Sequence, residues 1–329
     1  MVSFIQSAIR LGMTFLLGST GETITEKSGH LNLGIPGVMC VGAACGCWAE
    51  YIYLSATGAN ANAFFIILVP ILAALLGGAL MGLIFSFLTV TLRANQNVTG
   101  LALTTFGIGV ADYMIYAISK SSNVFSSVSF ASAGPYFTRP LININVSGAA
   151  PWIQTLYNIF LSYGVFVYIS LAVAIIAYFV LFKTRIGLHL RAVGENPATA
   201  DAAGINVSRY RYTATCIGSA IAGMGGLSFI MDYLNGNWEY CIDQIGWLAI
   251  ALVIFTSWKP NWGILGSLVF GALYIASSYI EGVSLAQKEL VKMLPFVVTI
   301  IVLIITSIRD KKESQPPQSL GLAYFREER

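Results

Sequence analysis

The sequence predicts an all-α protein, a polytopic transmembrane helical bundle. Hydrophobic residues make up 56% of the 329 residues and charged residues only 10%, which is more apolar surface than one soluble core can bury. Long apolar runs recur along the whole chain, and about 20 helical residues cross the hydrocarbon of a bilayer. No run alternates with the period of two that is typical of a membrane β-barrel strand.

The apolar runs predict about nine to ten helical segments, several of them broken by glycine or proline. In chain order they cover residues 4–20, 33–54, 63–91, 97–118, 155–182, 208–231, 244–258, 262–280 and 290–308. Gly34, Pro36 and Gly37 open the second segment, and Lys259-Pro260-Asn261 closes the short seventh one. Interrupted segments indicate a transport pathway, because freed backbone groups are tolerated only where protein or water meets them.

Small residues recur at four-residue spacing on two segments, which predicts close helix packing. They are Ala74, Gly78, Gly82 and Ser86 on one, and Gly263, Ser267 and Gly271 on the other. Residues 73–87 also resemble residues 219–230, and residues 98–107 resemble residues 244–255. Since many transporters contain duplicated helical units, an internal repeat is possible. Chance similarity between small-residue helices explains the likeness equally well.

The basic residues predict the orientation in the membrane. If each segment crosses once and residues 183–211 are cytoplasmic, most of the 18 basic residues lie inside: Lys27, Arg93, Lys183, Arg185, Arg191, Arg209, Arg211, Lys259, Arg309, Lys311, Lys312, Arg326 and Arg329. The positive-inside rule then places the N-terminus outside and the C-terminus inside. Residues 1–312 form the transmembrane domain, with an external loop over about 119–154, and residues 313–329 form a cytoplasmic tail of low order.

A polar island, RAVGENPATADAAGINVSRYR over residues 191–211, interrupts the apolar sequence. Asn196 can cap a helix, Pro197 fits its first position, and Gly204 can close it in the left-handed conformation. A helix of about two turns is marginal in water, so it needs a docking partner. An ordinary basic cytoplasmic loop is the plainer interpretation.

The chain has polar groups but few charges inside its spans. The neutral residues Asn97, Thr99, Thr104 and Thr105 suit a pathway for an uncharged, hydrogen-bonding solute, although bonds between helices would account for them as well. Ion coupling needs a carboxylate within the membrane, and Asp112 is the best candidate by sequence. Structural solvation at the outer mouth is the plainer role for Asp112.

Several activities have no support in the sequence. No G-x-x-x-x-G-K-[ST] occurs, so the chain lacks a phosphate-cradling loop and cannot itself be an ATP-hydrolysing subunit. There is no HExxH, no GxSxG and no clustered His/Cys set, so we expect no catalytic residues, no metal and no bound cofactor. The five cysteines form no CxxC pair.

Two motifs together resemble the permease subunits of bacterial ABC importers, in the group for simple sugars, nucleosides and branched-chain amino acids. They are GETITEKSGHLNLGIPGVMCVGA, residues 21–43, and the island at 191–211. The LNLGIPGVM form is similar to the nucleoside branch, although Pro36 stands where an acidic residue is common. The resemblance covers about residues 10–308.

The resemblance implies a division of labour in a bacterial cytoplasmic membrane. Two permeases, the same or homologous chains, would form the pathway among membrane lipids, two partner ATPases would bind ATP and Mg, and an external lipoprotein would deliver solute; no nucleic acid is expected. Residues 195–205 would be the coupling helix that docks on the ATPase, through Arg191, Glu195, Asn196, Pro197, Asp201 and Gly204. Asn32, Asn97, Thr99, Thr104 and Thr105 would belong to the pathway.

The expected function is nucleoside import by alternating access. Two alternatives remain open: a permease for a pentose or another simple sugar, and an ion-coupled secondary transporter.

Overall fold

The computed structural model describes residues 2–121, 130, 132–143, 150–280, 282, 284–309 and 315–325. These residues are mostly helical and contain no β-strand, as the sequence predicts. The α-helices are α1 (Val2–Glu26), α2 (Ile35–Thr57), α3 (Ala63–Ser86), α4 (Gln96–Ser121), α5 (Gly134–Thr138), α6 (Pro151–Phe160), α7 (Val165–Lys183), α8 (Arg185–Glu195), α9 (Pro197–Ala202), α10 (Val207–Ser228), α11 (Ile242–Phe255), α12 (Pro260–Tyr279), α13 (Leu285–Lys292) and α14 (Leu294–Arg309).

Seven helical stretches among the described residues are long and apolar enough to cross a membrane. They are α1, α2, α3 with its extension to Thr91, α4, α7, α10 with its extension to Tyr233, and α12. The two extensions, Phe87–Thr91 and Phe229–Tyr233, are π-helical. Helix α11 is apolar but has only 14 residues, which agrees with the short segment predicted there.

Two predicted segments are each divided in the structure. The segment predicted over 155–182 is two helices, α6 and α7, and the segment predicted over 290–308 contains the end of α13 followed by α14. Gly164 ends the first gap, where a Cβ atom would lie only 1.6 Å from the carbonyl oxygen of Phe137. The first break covers only residues 161–164, with apolar sequence on both sides, so the hydropathy of the whole segment did not reveal it.

The predicted external loop over 119–154 falls partly outside the described residues. Its described part contains the short helices α5 and α6. Phe130 donates its backbone N–H to Gly236 O, and Leu141 donates its own to Tyr163 O. This part of the loop therefore packs on neighbouring connections.

Both small-residue seams lie at helix contacts, as predicted. On α3, a Cβ atom at Gly78 would meet the carbonyl oxygen of Ser219 at 2.3 Å, so α3 and α10 approach backbone to backbone. On α12, Gly271 similarly faces the carbonyl oxygen of Ala8 on α1. Glycine permits these close approaches. The resulting van der Waals contacts hold the helices together in lipid, where no hydrophobic effect drives their association.

The segments proposed as a repeat pack against each other. Residues 73–86 belong to α3 and residues 219–228 to α10, and each helix runs on into a π-helical extension. Gly82 faces Ser219, whereas Ala74 faces Gly223, so the two helices are antiparallel.

The connections gather at two opposite faces of the bundle. We call one of them the Lys27 face; it comprises residues 27–34, 92–96, 184–206, 256–259 and 315–325, which hydrogen bond or pack with one another. At the opposite face, Gln6 donates to the carbonyl oxygen of Asn158, and Ser7 lies 3.5 Å from the Tyr279 hydroxyl. Of the basic residues that the sequence predicts on one side of the membrane, Lys27, Arg93, Arg185, Arg191 and Lys259 lie in this face.

Candidate functional site

Helix α9 begins and ends as its sequence predicts. The Asn196 side chain accepts a hydrogen bond from the Thr199 N–H at 3.0 Å, and Pro197 follows as the first helical residue. Gly204 has a φ of 85°, and the N–H of Ile205 reaches back to Ala200 O at 3.0 Å. This bond across a left-handed residue is typical of a Schellman closure. The residues that begin and end α9 act on neighbours close in sequence, so the ends of the helix could be predicted from sequence alone.

One side of α9 is docked and the other is open. Ala200 is buried between Val193 and Val207, with Ile205 and Tyr324 packed against the same cluster. The residues that face outward are small or polar: Ala198, Thr199, Ala202, Ala203 and Gly204. A flat, small-residue surface of this kind allows another protein to approach the helix backbone closely.

The charged residues through which this helix is predicted to dock on an ATPase have partners within the chain. The Asp201 carboxylate accepts the Tyr324 hydroxyl at 2.9 Å, and the Glu195 carboxylate accepts the Gln318 N–H at 3.4 Å. The Arg191 guanidinium lies 5.1 Å from the centre of the Phe182 ring, a cation-π contact.

Lys27 lies close to Glu195 and Arg191, and its pKa is shifted there. Burial lowers the pKa of Lys27 to about 8, with the nearby Glu195 carboxylate opposing the shift and the Arg191 guanidinium adding to it. Lys27, Arg191 and Glu195 line one cavity of about 480 Å³ together with Phe182 and Lys259. The end of α1 and the region around α9 thus interact electrostatically.

The connection between α1 and α2 is a buried non-helical segment, residues 27–34. Glu22 accepts the Asn32 N–H at 3.0 Å, Gln96 accepts the Leu31 N–H at 2.8 Å, and the Asn32 side chain accepts the Gly34 N–H at 2.9 Å. Side chains therefore satisfy backbone groups that a helix would have paired. Asn32, predicted to belong to the pathway, is fully buried and holds the start of α2.

His30 lies in the same segment and is also fully buried. Its Nδ1 atom lies 3.0 Å from the Thr215 hydroxyl on α10. Burial lowers the pKa of His30 well below its ordinary value, and the Arg211 guanidinium adds to the shift. His30 is therefore neutral in the folded protein at neutral pH.

The four pathway candidates of α4 fall on two different faces. Thr99 and Thr104 are buried, and the Thr104 hydroxyl donates to the carbonyl oxygen of Leu33 at 2.8 Å. Asn97 and Thr105 are exposed on the surface of the chain. The structure does not bring the five predicted pathway residues into one cluster, because α4 turns two of them away from Asn32.

The structure also identifies residues that sequence reasoning missed. Gln96, Trp258 and Tyr324 each bond to a residue distant in sequence. Among the described residues the buried carboxyl groups are those of Glu22, Glu26, Glu50 and Asp232, whereas Asp112, the candidate from sequence, is only half-buried. Glu22 and Glu26 stand one turn apart in the GETITE motif, and that spacing was the available signal.

Known proteins resemble the chain along nearly its whole length. Residues 4–303 match the family described as branched-chain amino acid transport system, permease component. The nucleoside ABC transporter permease protein NupC of Lactococcus lactis subsp. cremoris is 32% identical, over 87% of this chain and 86% of its own. The guanosine ABC transporter permease protein NupQ of Bacillus subtilis is 28% identical, over 95% and 93%.

A sugar permease is also similar, and solved structures are not. The glucose ABC transporter permease protein TsgB13 of Haloferax volcanii is 24% identical, over 89% of this chain and 73% of its own. No solved structure matches the chain. The family match, together with seven apolar helices long enough to cross a bilayer, identifies the chain as a multi-pass membrane protein that belongs to the branched-chain amino acid transport system permease family.

Proposed function

We propose that the chain is the pathway-forming permease subunit of an ATP-driven nucleoside importer. The observation that carries this proposal is the 32% identity to NupC, a nucleoside ABC transporter permease, over most of both chains. NupQ, a guanosine permease, supports the same solute class. Neutral hydroxyl and amide groups on α4, such as Thr105 and Asn97, suit an uncharged solute rich in hydrogen-bonding groups.

The chain depends on a separate ATPase, which binds ATP and Mg. Its own sequence has no phosphate-cradling loop. In this proposal α9 docks in a groove of that ATPase with its open side, while Arg191, Glu195 and Asp201 set the charge around it. The open side consists of Ala198, Thr199, Ala202, Ala203 and Gly204. Asn196, Pro197 and Gly204 fix the ends of the helix, and so the surface it presents.

The pathway forms where two permeases meet, the second being the same chain or a homologue. The exposed face of α4 carries Asn97 and Thr105, which would then face solute or partner rather than lipid. Thr99, Thr104 and Asn32 act behind this face: the Thr104 hydroxyl holds the carbonyl of Leu33, and Asn32 holds Gly34. They set the position of α4 and α2 without touching solute.

The Lys27 face is cytoplasmic, with the N-terminus outside and the C-terminus inside. The concentration of Lys27, Arg93, Arg191 and Lys259 there supports this orientation through the positive-inside rule. The opposite face, with α5 and α6, receives solute from an extracytoplasmic lipoprotein. The membrane is the bacterial cytoplasmic membrane.

A sugar is the second candidate solute, because the glucose permease TsgB13 is also a relative. Competition for uptake separates the two. The permease is reconstituted into proteoliposomes with its ATPase, second permease and lipoprotein, and uptake of labelled uridine is measured with adenosine, guanosine, ribose or glucose in excess. Nucleosides should compete and the sugars should not. Uptake of labelled ribose or glucose that nucleosides leave unchanged would overturn the nucleoside proposal.

A further inference from the structure

The C-terminal residues 315–325, which we call the C-terminal strap, lie along the Lys27 face. The sequence predicts a tail of low order, and this prediction is wrong for the strap. The Ser319 N–H donates to Gly194 O at 3.0 Å, and the Gly321 N–H donates to Gly29 O at 3.2 Å. Ser319 is itself buried, and its hydroxyl also donates to Gly194 O. These partners are more than a hundred residues away, so no local pattern indicated them.

The strap also bonds to helices of the membrane core. The carbonyl oxygen of Leu322 accepts the Arg211 guanidinium at 3.2 Å and the Gln96 amide at 3.3 Å. The oxygen of the same Gln96 amide group accepts the Leu31 N–H. One glutamine thus connects the strap, the start of α4 and the buried segment 27–34.

Its side chains reach the region of the proposed coupling helix. Tyr324 donates to Asp201 on α9, the Gln318 N–H donates to Glu195 at the end of α8, and Arg93 lies 4.9 Å from the centre of the Phe325 ring. Asp201 and Glu195 are the two carboxylates for which the family resemblance implies contact with an ATPase. The strap therefore contacts α9 at Asp201 and the end of α8 at Glu195, and it leaves the outward side of α9 open.

A six-residue helix cannot hold its position by its own backbone bonds, since nucleation costs leave isolated helices below about 12 residues marginal. The apolar contact of Ala200 fixes one side of α9. The bond from Tyr324 to Asp201 is a hydrogen bond to a carboxylate, which is stronger and more directional than a neutral one. It limits how far α9 can rotate about its apolar contact.

We propose that the C-terminal strap is a positioning element of transport, which carries displacement of α9 to the segment 27–34 and to α4. Tyr324 holds the helix through Asp201, and Gln96 and Arg211 hold the other end of the strap. This inference rests on the proposed function, since it assumes that an ATPase moves α9. A displacement of α9 is transmitted to α4, the proposed pathway helix, through the hydrogen bonds of the strap.

The test compares Tyr324→Phe, Asp201→Ala and the double variant in the reconstituted complex. Solute imported per ATP hydrolysed is the readout, and co-purification of the ATPase is measured in parallel. Tyr324→Phe should lower the import per ATP by roughly 3-fold, and it should have no further effect in the Asp201→Ala background. Tyr212→Phe removes another tyrosine hydroxyl contact, to Thr91, that does not involve the strap, and should leave the ratio unchanged.

Hydrogen exchange of the α9 amides provides a readout that does not require transport. In the intact complex Tyr324→Phe should speed exchange at residues 199–203 by roughly 5-fold relative to Tyr212→Phe. An unchanged ratio and unchanged exchange, or additive effects of the two substitutions, would overturn the positioning role. Loss of ATPase co-purification in Tyr324→Phe would also overturn it, since the strap would then act in assembly. If the wild-type complex fails to import solute with ATP, the proposed function fails instead.

Discussion

Trp258 donates its indole N–H to the carboxylate of Glu26, joining residues 232 positions apart in the sequence. Trp258 lies in the turn between α11 and α12, and both it and Ser257 have positive φ values, 56° and 52°. Left-handed conformations are unfavourable for such residues and persist where surrounding contacts hold them. The bond to Glu26, with the Lys27 ammonium 6.0 Å from the indole ring, ties this turn to the end of α1.

Trp258→Phe should destabilise the protein, because it leaves a buried carboxyl oxygen of Glu26 without its donor. The expected loss is about 1–3 kcal/mol, the usual cost of an unsatisfied buried polar group. The thermal midpoint of the purified permease measures it. Trp262→Phe is the matched control, since Trp262 lies four residues further on and is 56% exposed. Equal midpoints for the two variants would contradict a stabilising role for the Glu26 bond.

His30 should make the stability of the permease sensitive to acid. The unfolded chain takes up a proton on this residue below about pH 6.5, whereas the folded protein holds the imidazole neutral at that pH. The free energy of unfolding should therefore fall as the pH drops from 6.5 toward the lowered folded-state pKa.

His30→Asn tests this contribution, because an amide group can take the place of Nδ1 beside Thr215 but does not titrate. Thermal midpoints are compared at about pH 7.5 and about pH 5. The variant should lose less stability on acidification than the wild type, whereas His189→Asn should leave the contribution of His30 in place. An acid-induced loss of the same size in His30→Asn would rule His30 out.

Gly204 should be replaceable by asparagine but not by valine. Its φ is 85° and a Cβ atom there would meet nothing within 4 Å, so backbone strain is the only cost of a side chain. A β-branched residue should pay about 1–2 kcal/mol in this conformation, while asparagine tolerates it better. Gly204→Val should reduce ATP-coupled uptake without loss of membrane insertion, and Gly204→Asn should retain most of it.

Gly58→Val is the positional control for this substitution. Gly58 also has a positive φ, 53°, and open space around it, but it lies outside the Lys27 face. With a ψ of −127° Gly58 lies in a region that disfavours side chains at least as strongly, so Gly58→Val should cost at least as much backbone strain while coupling stays complete. A matching loss of coupling in Gly58→Val would show that general destabilisation, and not the end of α9, explains the Gly204 result.

Thr104 and Thr105 should respond differently to substitution although they are neighbours. Thr104→Val leaves the carbonyl oxygen of Leu33 without its donor, so the thermal midpoint should fall, corresponding to about 0.5–1.5 kcal/mol. Thr105→Ala removes an exposed hydroxyl, so the KM for solute should rise with the midpoint unchanged. An unchanged KM in both Thr105→Ala and Asn97→Ala would remove the exposed face of α4 from the proposed pathway.

Local signals predicted much of this fold, and distant contacts explain what they missed. Asn196, Pro197 and Gly204 determine the ends of α9 within a few residues, so the sequence located them correctly. Long apolar stretches located the spanning helices, but the apolar sequence on both sides concealed the short break before Gly164. The bonds of Ser319 to Gly194 and of Tyr324 to Asp201 depend on the whole fold, which is why the tail was predicted to have little order.

The candidate site shows the same limit. Composition identified Thr104 and Thr105 as polar residues in a span, but only the helix rotation shows that one supports Leu33 and the other is exposed. The sequence did not identify Glu22 and Glu26 as site residues. In the structure they hold the Asn32 backbone and the Trp258 indole, contacts that required the fold of α1, α2 and α11 together.

ATP dependence of uptake tests the central claim most directly. The complete complex is reconstituted in proteoliposomes loaded with ATP and Mg, and labelled nucleoside uptake is followed with and without a proton ionophore. We expect uptake that requires ATP hydrolysis, stops with vanadate and is unaffected by the ionophore. Uptake that proceeds without ATP and collapses when the ionophore removes the proton gradient would contradict the account and identify an ion-coupled transporter.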